Sequence, residues 1–233
     1  MPPHKLVPVT LESGTENGGV NEFHPGKTVN VPRWDFQKVV ISYLLDPILF
    51  GNRDNLVSTD NPWEKFEIAN PKESKEYLAS NHYSQSFDEC MDDVNDGCVR
   101  EQFFFPIEIY VDKSGKTAGQ TSSCGEPVLM STPLLTSSKR EEPSSWMLLG
   151  YIPDLEKTSS AKKQQESQRK FEKGRNQRNY HKCLWEVLQP VVQSMEQHFN
   201  AHIRQGDEIA YKEVVPCLTF VSGDGKNGDN LVL

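Results

Sequence analysis

Short apolar runs alternate with longer polar stretches along this chain of 233 residues. The run FFFPIEIYV at 103–111 combines aromatic and β-branched residues, and it predicts a central strand with Pro106 near its start. The segments EPVLMSTPLL at 126–135 and SSWMLLGYIPDL at 144–155 predict two further strands, separated from the first by turn-forming residues. We therefore expect an antiparallel meander of three strands.

Two segments have the spacing of apolar residues that is typical of amphipathic helices. The first begins near Trp34 and ends before Pro47, which disfavours a helical residue in front of it. The second covers 179–199, and its Pro190 is expected to kink or split it. Its core-facing residues are Cys183, Leu184, Val187, Leu188, Val191, Val192 and Met195. A last strand is expected around 214–221, followed by the loop GDGKNGD.

Composition divides the chain into three parts. Residues 1–32 are rich in Gly, Asn, Pro and Thr, and we expect a disordered or loosely ordered leader there. Residues 33–100 predict a helical and loop-rich flanking region, in which the acidic stretch DECMDDVNDG lacks the ligand order of a calcium loop. Residues 101–233 hold the alternating strands and helices of an α/β domain.

The net charge of −8 argues against a chain that wraps nucleic acid with its whole surface. Residues 157–182 differ, because nine basic and two acidic side chains give them a local net charge of +7. Such a stretch is either simply solvated or contacts phosphates. The candidate DNA-binding residues, in a basic insertion at 157–178, are Lys157, Lys162, Lys163, Arg169, Lys170, Lys173, Arg175 and Arg178.

Several classes of site are disfavoured by what the sequence lacks. Five cysteines at long spacings match neither a disulfide framework nor a zinc motif. No phosphate-binding loop of the P-loop type and no dinucleotide-binding glycine motif occurs. There is also no signal peptide and no apolar run long enough to span a membrane, so we expect an intracellular protein, nuclear or cytoplasmic, that does not bind membranes.

Two aspartates stand directly after predicted strands. Asp112 follows the first strand of the meander, and Asp224 follows the last strand of the chain. Carboxylates at the ends of neighbouring strands can share Mg²⁺, and two such ions can cleave a phosphodiester. Each aspartate could equally be an ordinary turn residue, because Asp favours the turns that follow strands. Asp229 is a further acidic candidate in the terminal loop, with the same alternative.

The order of motifs resembles the transposase domain of Plavaka-type elements, which are relatives of the CACTA DNA transposons with divergent copies in algal and protist genomes. The resemblance covers about residues 34–233 and rests on IEIYVDKSGKT, EPVLMSTPLL, SSWMLLGYIPDL, RNYHKCLWEVLQPV and VVPCLTFVSGDGKNGD. It implies an RNase H-like mixed sheet and magnesium-dependent cleavage and transfer of DNA strands. Asp112 then corresponds to the first catalytic aspartate and Asp224 to the second, and Asp229 is an acidic neighbour that could also hold metal.

The third carboxylate of the family has no counterpart before Leu233, where the sequence stops. From this we expect a transposase fragment, with an incomplete two-metal site, that is inactive alone. The alternatives are a noncatalytic DNA-binding or protein-interaction module derived from the same domain, and a relic without function. The oligomeric state is left open.

Overall fold

The computed structural model describes residues 4–12, 26–57, 80–91, 101–111, 125–153, 155 and 166–223, with side chains of the long helix described from residue 173 onward. The elements are β1 (Lys5–Thr10), β2 (Thr28–Arg33), α1 (Phe36–Leu44), α2 (Asn81–Cys90), β3 (Gln102–Val111), β4 (Glu126–Ser131), α3 (Ser137–Arg140), β5 (Met147–Ile152), α4 (Glu166–Gln197), β6 (Phe199–Gln205) and β7 (Glu208–Gly223).

In the described part of the chain, seven strands form one mixed sheet in the order β1-β2-β5-β4-β3-β7-β6. The predicted meander is confirmed, because β3 pairs antiparallel with β4 and β4 pairs antiparallel with β5. After the helical crossover α4, strand β7 returns to pair parallel with β3. The predicted mixed α/β class is therefore confirmed, with β3 in the interior of the sheet.

One row of paired residues crosses most of the sheet and serves as its reference row: Gly223, Val111, Val128, Gly150, Arg33 and Lys5. Strands β1, β5, β3 and β7 all run in the same direction through this row. Strands β2 and β4 are antiparallel to their neighbours β1, β5 and β3, and β7 is parallel to β3. We call the side toward which they run the upper edge. Both β3 and β7 end at this edge.

The core lies on both faces of β3. Phe105, Ile107 and Ile109 are fully buried in a large cluster that includes residues of α1 and α4. Phe104, whose side chain points to the opposite face, packs in a smaller cluster with Tyr83 and Phe87 of α2. A strand that is buried on both faces reads as a continuous apolar run, which is what made β3 visible in the sequence.

Helix α1 confirms the first predicted helix. Asp35 caps it by accepting a hydrogen bond from the backbone N–H of Lys38, and the chain turns after Leu44, ahead of Pro47. Tyr43 is fully buried, and its hydroxyl donates to the backbone carbonyl of Ser145 at 2.8 Å. That hydrogen bond ties the helix to the segment that leads into β5.

A disordered or loosely ordered leader was expected over residues 1–32, whereas the structure has strands at 5–10 and 28–32. These residues lie in β1 and β2, which pair antiparallel over six positions, with Val31 fully buried. The hairpin joins the sheet where Arg33 pairs with Gly150 and where the N–H of Trp34 donates to the carbonyl of Leu149. Residues 1–3 and 13–25 lie outside the described part of the chain.

Helix α4 runs as one helix through Pro190, so Pro190 does not split it into two helices. A proline has no N–H, so the carbonyl of Glu186, four residues earlier, loses its partner within the helix. Arg33 supplies a replacement, since its Nη1 donates to the Glu186 carbonyl at 2.8 Å. The same guanidinium group lies 3.8 Å from the Glu186 carboxylate. A residue from β2 thus satisfies the carbonyl that Pro190 leaves free.

Candidate catalytic edge and nucleic-acid interface

The upper edge brings together the ends of the two strands that precede the predicted catalytic aspartates. Strands β3 and β7 pair parallel over ten positions, and the last pair joins Val111 to Gly223. Asp112 and Asp224 are the next residues of these strands in the sequence. Their side chains, and that of Asp229, lie outside the described residues, so the structure gives the adjacency of the strands and leaves the carboxylates as predictions.

Helix α4 carries the basic stretch toward the same edge. Val187 lies over Gly150 of the reference row, where a Cβ on residue 150 would approach its methyl groups to 2.7 Å. The absence of a side chain at Gly150 is thus what lets the helix lie this close to the sheet. At 1.5 Å per residue, Arg178 lies about 13 Å and Glu166 about 30 Å along the helix from this point.

The predicted DNA-binding residues have different positions in the structure. Lys173 and Arg178 are exposed on α4, whereas Arg175 is only 7% exposed, with its guanidinium 3.4 Å from the side-chain oxygen of Asn176. Arg169 and Lys170 belong to the same helix, of which only the backbone is described at these positions. Lys157, Lys162 and Lys163 lie outside the described residues. The basic insertion expected at 157–178 is therefore, from residue 166 onward, the first half of the core helix.

Glu12, just beyond the end of β1, binds α4 in this region. Its carboxylate accepts a hydrogen bond from Nε of Arg178 at 2.8 Å and lies 3.3 Å from Nζ of Lys182. The hydrogen bond from Arg178 is the main reason why the pKa of Glu12 is lowered. One acidic residue thus neutralises part of the helix's positive charge, and it shows that the basic end of α4 lies at the upper edge.

Asn179 reinforces the same contact through the backbone. Its side-chain oxygen accepts from the N–H of Glu12 at 2.7 Å, and its side-chain amide donates to the carbonyl of Glu12 at 3.2 Å. Asn179 is 5% exposed. The sequence interpretation assigned no role to Asn179 or Glu12, because the two residues are 167 positions apart and no local pattern links them.

Glu126 is a further carboxylate at the upper edge. It opens β4, two residues beyond Val128 of the reference row, which is about 7 Å along a strand. Burial, followed by the negative charge of nearby Glu126, raises the pKa of the Tyr180 hydroxyl on α4. The sequence could have placed Glu126 here, because the second strand of a meander begins at the edge where the first strand ends.

A comparison with models of known protein families shows to which family the chain belongs. The family model described as Plavaka transposase matches residues 72–227. The chain belongs to the Plavaka transposase family. No curated protein and no solved structure matches it.

The Plavaka match spans the meander, α4 and β7, and it includes both Asp112 and Asp224. Strands β1 and β2 and helix α1 precede the matched region, yet Val31, Val39 and Tyr43 belong to the same core cluster as β3. Asp229 lies just beyond the match. The matched domain and the preceding hairpin therefore share one hydrophobic core.

The structure also bears on Cys183, on metal-binding side chains and on membrane-spanning helices. Cys183 is fully buried on α4, and burial raises the pKa of its thiol to about 11, in agreement with its interpretation as a core residue. Among the described residues, no group of three or more His, Cys, Asp or Glu side chains could hold a metal ion. No helix in the described part of the chain is long and apolar enough to cross a membrane.

Proposed function

We propose that this Plavaka domain is a DNA-processing domain with an RNase H-like sheet, in which Asp112 and Asp224 hold Mg²⁺ at the upper edge. The observation that carries the proposal is the parallel pairing of β3 with β7 up to Val111 and Gly223. In an RNase H-like sheet, the first strand of an antiparallel meander gains a parallel neighbour after a helix. The order of β3, β4, β5, α4 and β7 agrees with this arrangement. It brings the two strand ends that bear the aspartates side by side.

The residues fit a magnesium site in their chemistry. Aspartate oxygens are hard ligands that Mg²⁺ prefers, and ends of adjacent parallel strands are about 4.8 Å apart. Asp229, five residues after Asp224, is available as a further ligand. When bound, such ions would activate a water or hydroxyl and stabilise the leaving oxygen of a phosphodiester.

The role proposed for α4 is to bind the DNA backbone beside that site. Lys173 and Arg178 expose cationic groups on the half of the helix that lies at the upper edge, and Arg169 and Lys170 continue the positive charge along it. Phosphate contacts position DNA without reading its sequence, so this surface would bind strands of any sequence. Binding of the helix would release cations that are condensed on the DNA. Because this release is less favourable at high salt, the affinity for DNA would fall as the salt concentration rises.

Manganese binding tests the proposed metal site without requiring catalytic turnover. Free Mn²⁺ measured by electron paramagnetic resonance should fall when the chain is added, since Mn²⁺ accepts the same oxygen ligands. Asp112→Asn and Asp224→Asn should each weaken the binding at least about tenfold. Asp207→Asn, in the exposed turn between β6 and β7, is the matched control and should bind as the wild type does. Equal binding by all four proteins would overturn the assignment.

A noncatalytic DNA-binding module is the second candidate, and the exposed cations of α4 favour it. Lys173→Ala combined with Arg178→Ala should weaken binding of a DNA duplex and lower the slope of log affinity against log salt by up to about 2. Lys38→Ala, an exposed lysine on α1, serves as the matched control. DNA binding that depends on α4 in a chain that binds no Mn²⁺ would favour this candidate over the first.

A further inference from the structure

Two cysteines meet on the face of the sheet that α2 covers, away from the proposed metal site. Cys217 of β7 is 9% exposed and belongs to the small core cluster with Tyr83, Phe87 and Phe104. Cys90, the last residue of α2, packs against the same cluster. Helix α2 contacts β7, and Cys90 lies close enough to Cys217 to raise the pKa of its thiol. Both are free thiols.

Their surroundings differ in a way that gives the two thiols different roles. Cys90 is half-buried and therefore reachable from solvent. Cys217 is buried, and burial, followed by the charge and hydrogen bond of Cys90, raises the pKa of its thiol to about 12. An external reagent would therefore react first with Cys90, and buried Cys217 would react afterwards with the modified Cys90.

Cys183, the other cysteine that the structure describes, is set apart from this pair. It is fully buried in the large cluster on the other face of the sheet and does not belong to the cluster of α2. Cys98 and Cys124 lie outside the described residues. Within the described part of the chain, Cys90 and Cys217 are thus the two thiols that the fold brings together.

We propose that Cys90 and Cys217 form a reversible disulfide when the protein meets a low-molecular-weight disulfide such as glutathione disulfide. The thiolate of Cys90 attacks one sulfur of the reagent and releases one glutathione thiolate. Cys217 then loses its proton and attacks the Cys90 sulfur, releasing the second glutathione. The two protein thiols are oxidised by two electrons, and glutathione disulfide is reduced to two glutathione molecules.

The bond would join the end of α2 to β7, the strand that leads to Asp224. It would close a loop from residue 90 to residue 217, which contains β3, β4, β5, α4 and β6. A cross-link over a loop of this length restricts the unfolded chain strongly. The oxidised protein should therefore be more resistant to heat than the reduced protein, and this inference is independent of the proposed metal chemistry.

Peptide mapping of the whole chain tests the proposal. After incubation with glutathione disulfide and alkylation of free thiols, mass spectrometry should find a peptide pair joined through Cys90 and Cys217. The melting temperature should rise by about 5–10 °C on oxidation and fall back after reduction. Formation should accelerate between pH 7 and pH 9, because more of the buried thiol is then ionised.

Single substitutions provide the controls. Cys90→Ser, at the half-buried position, should abolish both the linked peptide and the thermal shift, and it should leave Cys217 as a free thiol. Cys183→Ala should leave the linked peptide in place. The proposal is overturned if the wild-type chain keeps both thiols alkylatable, retains separate glutathione adducts, or joins either cysteine to Cys98 or Cys124 instead.

Discussion

The contact between Arg33 and the proline-containing turn of α4 allows a quantitative test of how the hairpin supports the helix. Arg33 donates to the Glu186 carbonyl, whose helical partner Pro190 cannot supply. The Arg33 side chain is 18% exposed, so the hydrogen bond is largely shielded from water. Arg33→Met keeps much of the aliphatic stem and removes the donor. The free energy of unfolding should fall by about 1.5–3 kcal/mol, the usual range for a hydrogen bond to a charged group.

Pro190→Ala restores the N–H that the Glu186 carbonyl lacks. In this background Arg33→Met should cost less, because the carbonyl already has a partner within the helix. The two substitutions should therefore be coupled by about 1–2 kcal/mol in a double-mutant cycle. Urea denaturation of the four proteins, followed by circular dichroism, measures this coupling.

Gln193→Ala is a suitable control, since it changes an exposed residue of the same helix to a good helix former. Its effect should be independent of the residue at position 33. If Arg33→Met and Pro190→Ala are additive within about 0.5 kcal/mol, the explanation of the unbroken helix is wrong.

Three further predictions concern buried and paired groups. Asn179→Ala should lower the free energy of unfolding by about 1–3 kcal/mol and speed amide exchange in β1, because both backbone groups of Glu12 lose a partner. Tyr43→Phe should cost about 1–3 kcal/mol in urea denaturation by leaving the Ser145 carbonyl unpaired, whereas Tyr211→Phe at an exposed position should be neutral. Because the pKa of Glu12 is lowered in the folded protein, its ionised carboxylate stabilises the fold above the unfolded pKa near 4.3. This contribution is lost as the pH falls through the folded pKa. The free energy of unfolding of Glu12→Gln should therefore fall less steeply than that of the wild type between about pH 5 and 3. A result equal to that of the wild type for Asn179→Ala, Tyr43→Phe or Glu12→Gln would contradict the corresponding contact.

The sequence predicted the elements whose signals are local. Strand β3 is a continuous apolar run because it is buried on both faces, and β4 and β5 follow it with turn-forming residues between. Helix α1 and the second half of α4 show core-facing residues at helical spacing because one side of each packs against the sheet. These patterns are visible without knowledge of the partners they pack against.

The hairpin β1–β2 and strand β6 escaped prediction because their stability comes from distant partners. Within β1 and β2, Val9 and Val31 are the buried apolar residues, and two strands with so little buried apolar surface are marginally stable until they join a sheet. In β6, Ala201, Ile203 and Gln205 are the buried residues, a weak alternation between charged and polar neighbours. Its pairing with β7 over seven positions supplies the order that composition does not.

Long-range pairs explain the remaining differences at the candidate edge. The Glu186 carbonyl that Pro190 leaves free in α4 is paired by Arg33, which is 157 residues before Pro190 in the sequence. The partial neutralisation of Arg178 depends on Glu12. By contrast, the adjacency of the strands before Asp112 and Asp224 could be anticipated, because the resemblance implies that these two aspartates belong to one metal site.

Asp112 and Asp224 are proposed to share a metal ion at the upper edge, and anomalous X-ray scattering from a crystal of the chain grown with Mn²⁺ would show whether they do. We expect a manganese peak about 2.1–2.2 Å from a carboxylate oxygen of each aspartate, with the two carboxylates within about 8 Å of each other. Carboxylates that point to opposite sides of the sheet, or a manganese ion bound elsewhere with neither aspartate as its ligand, would contradict it.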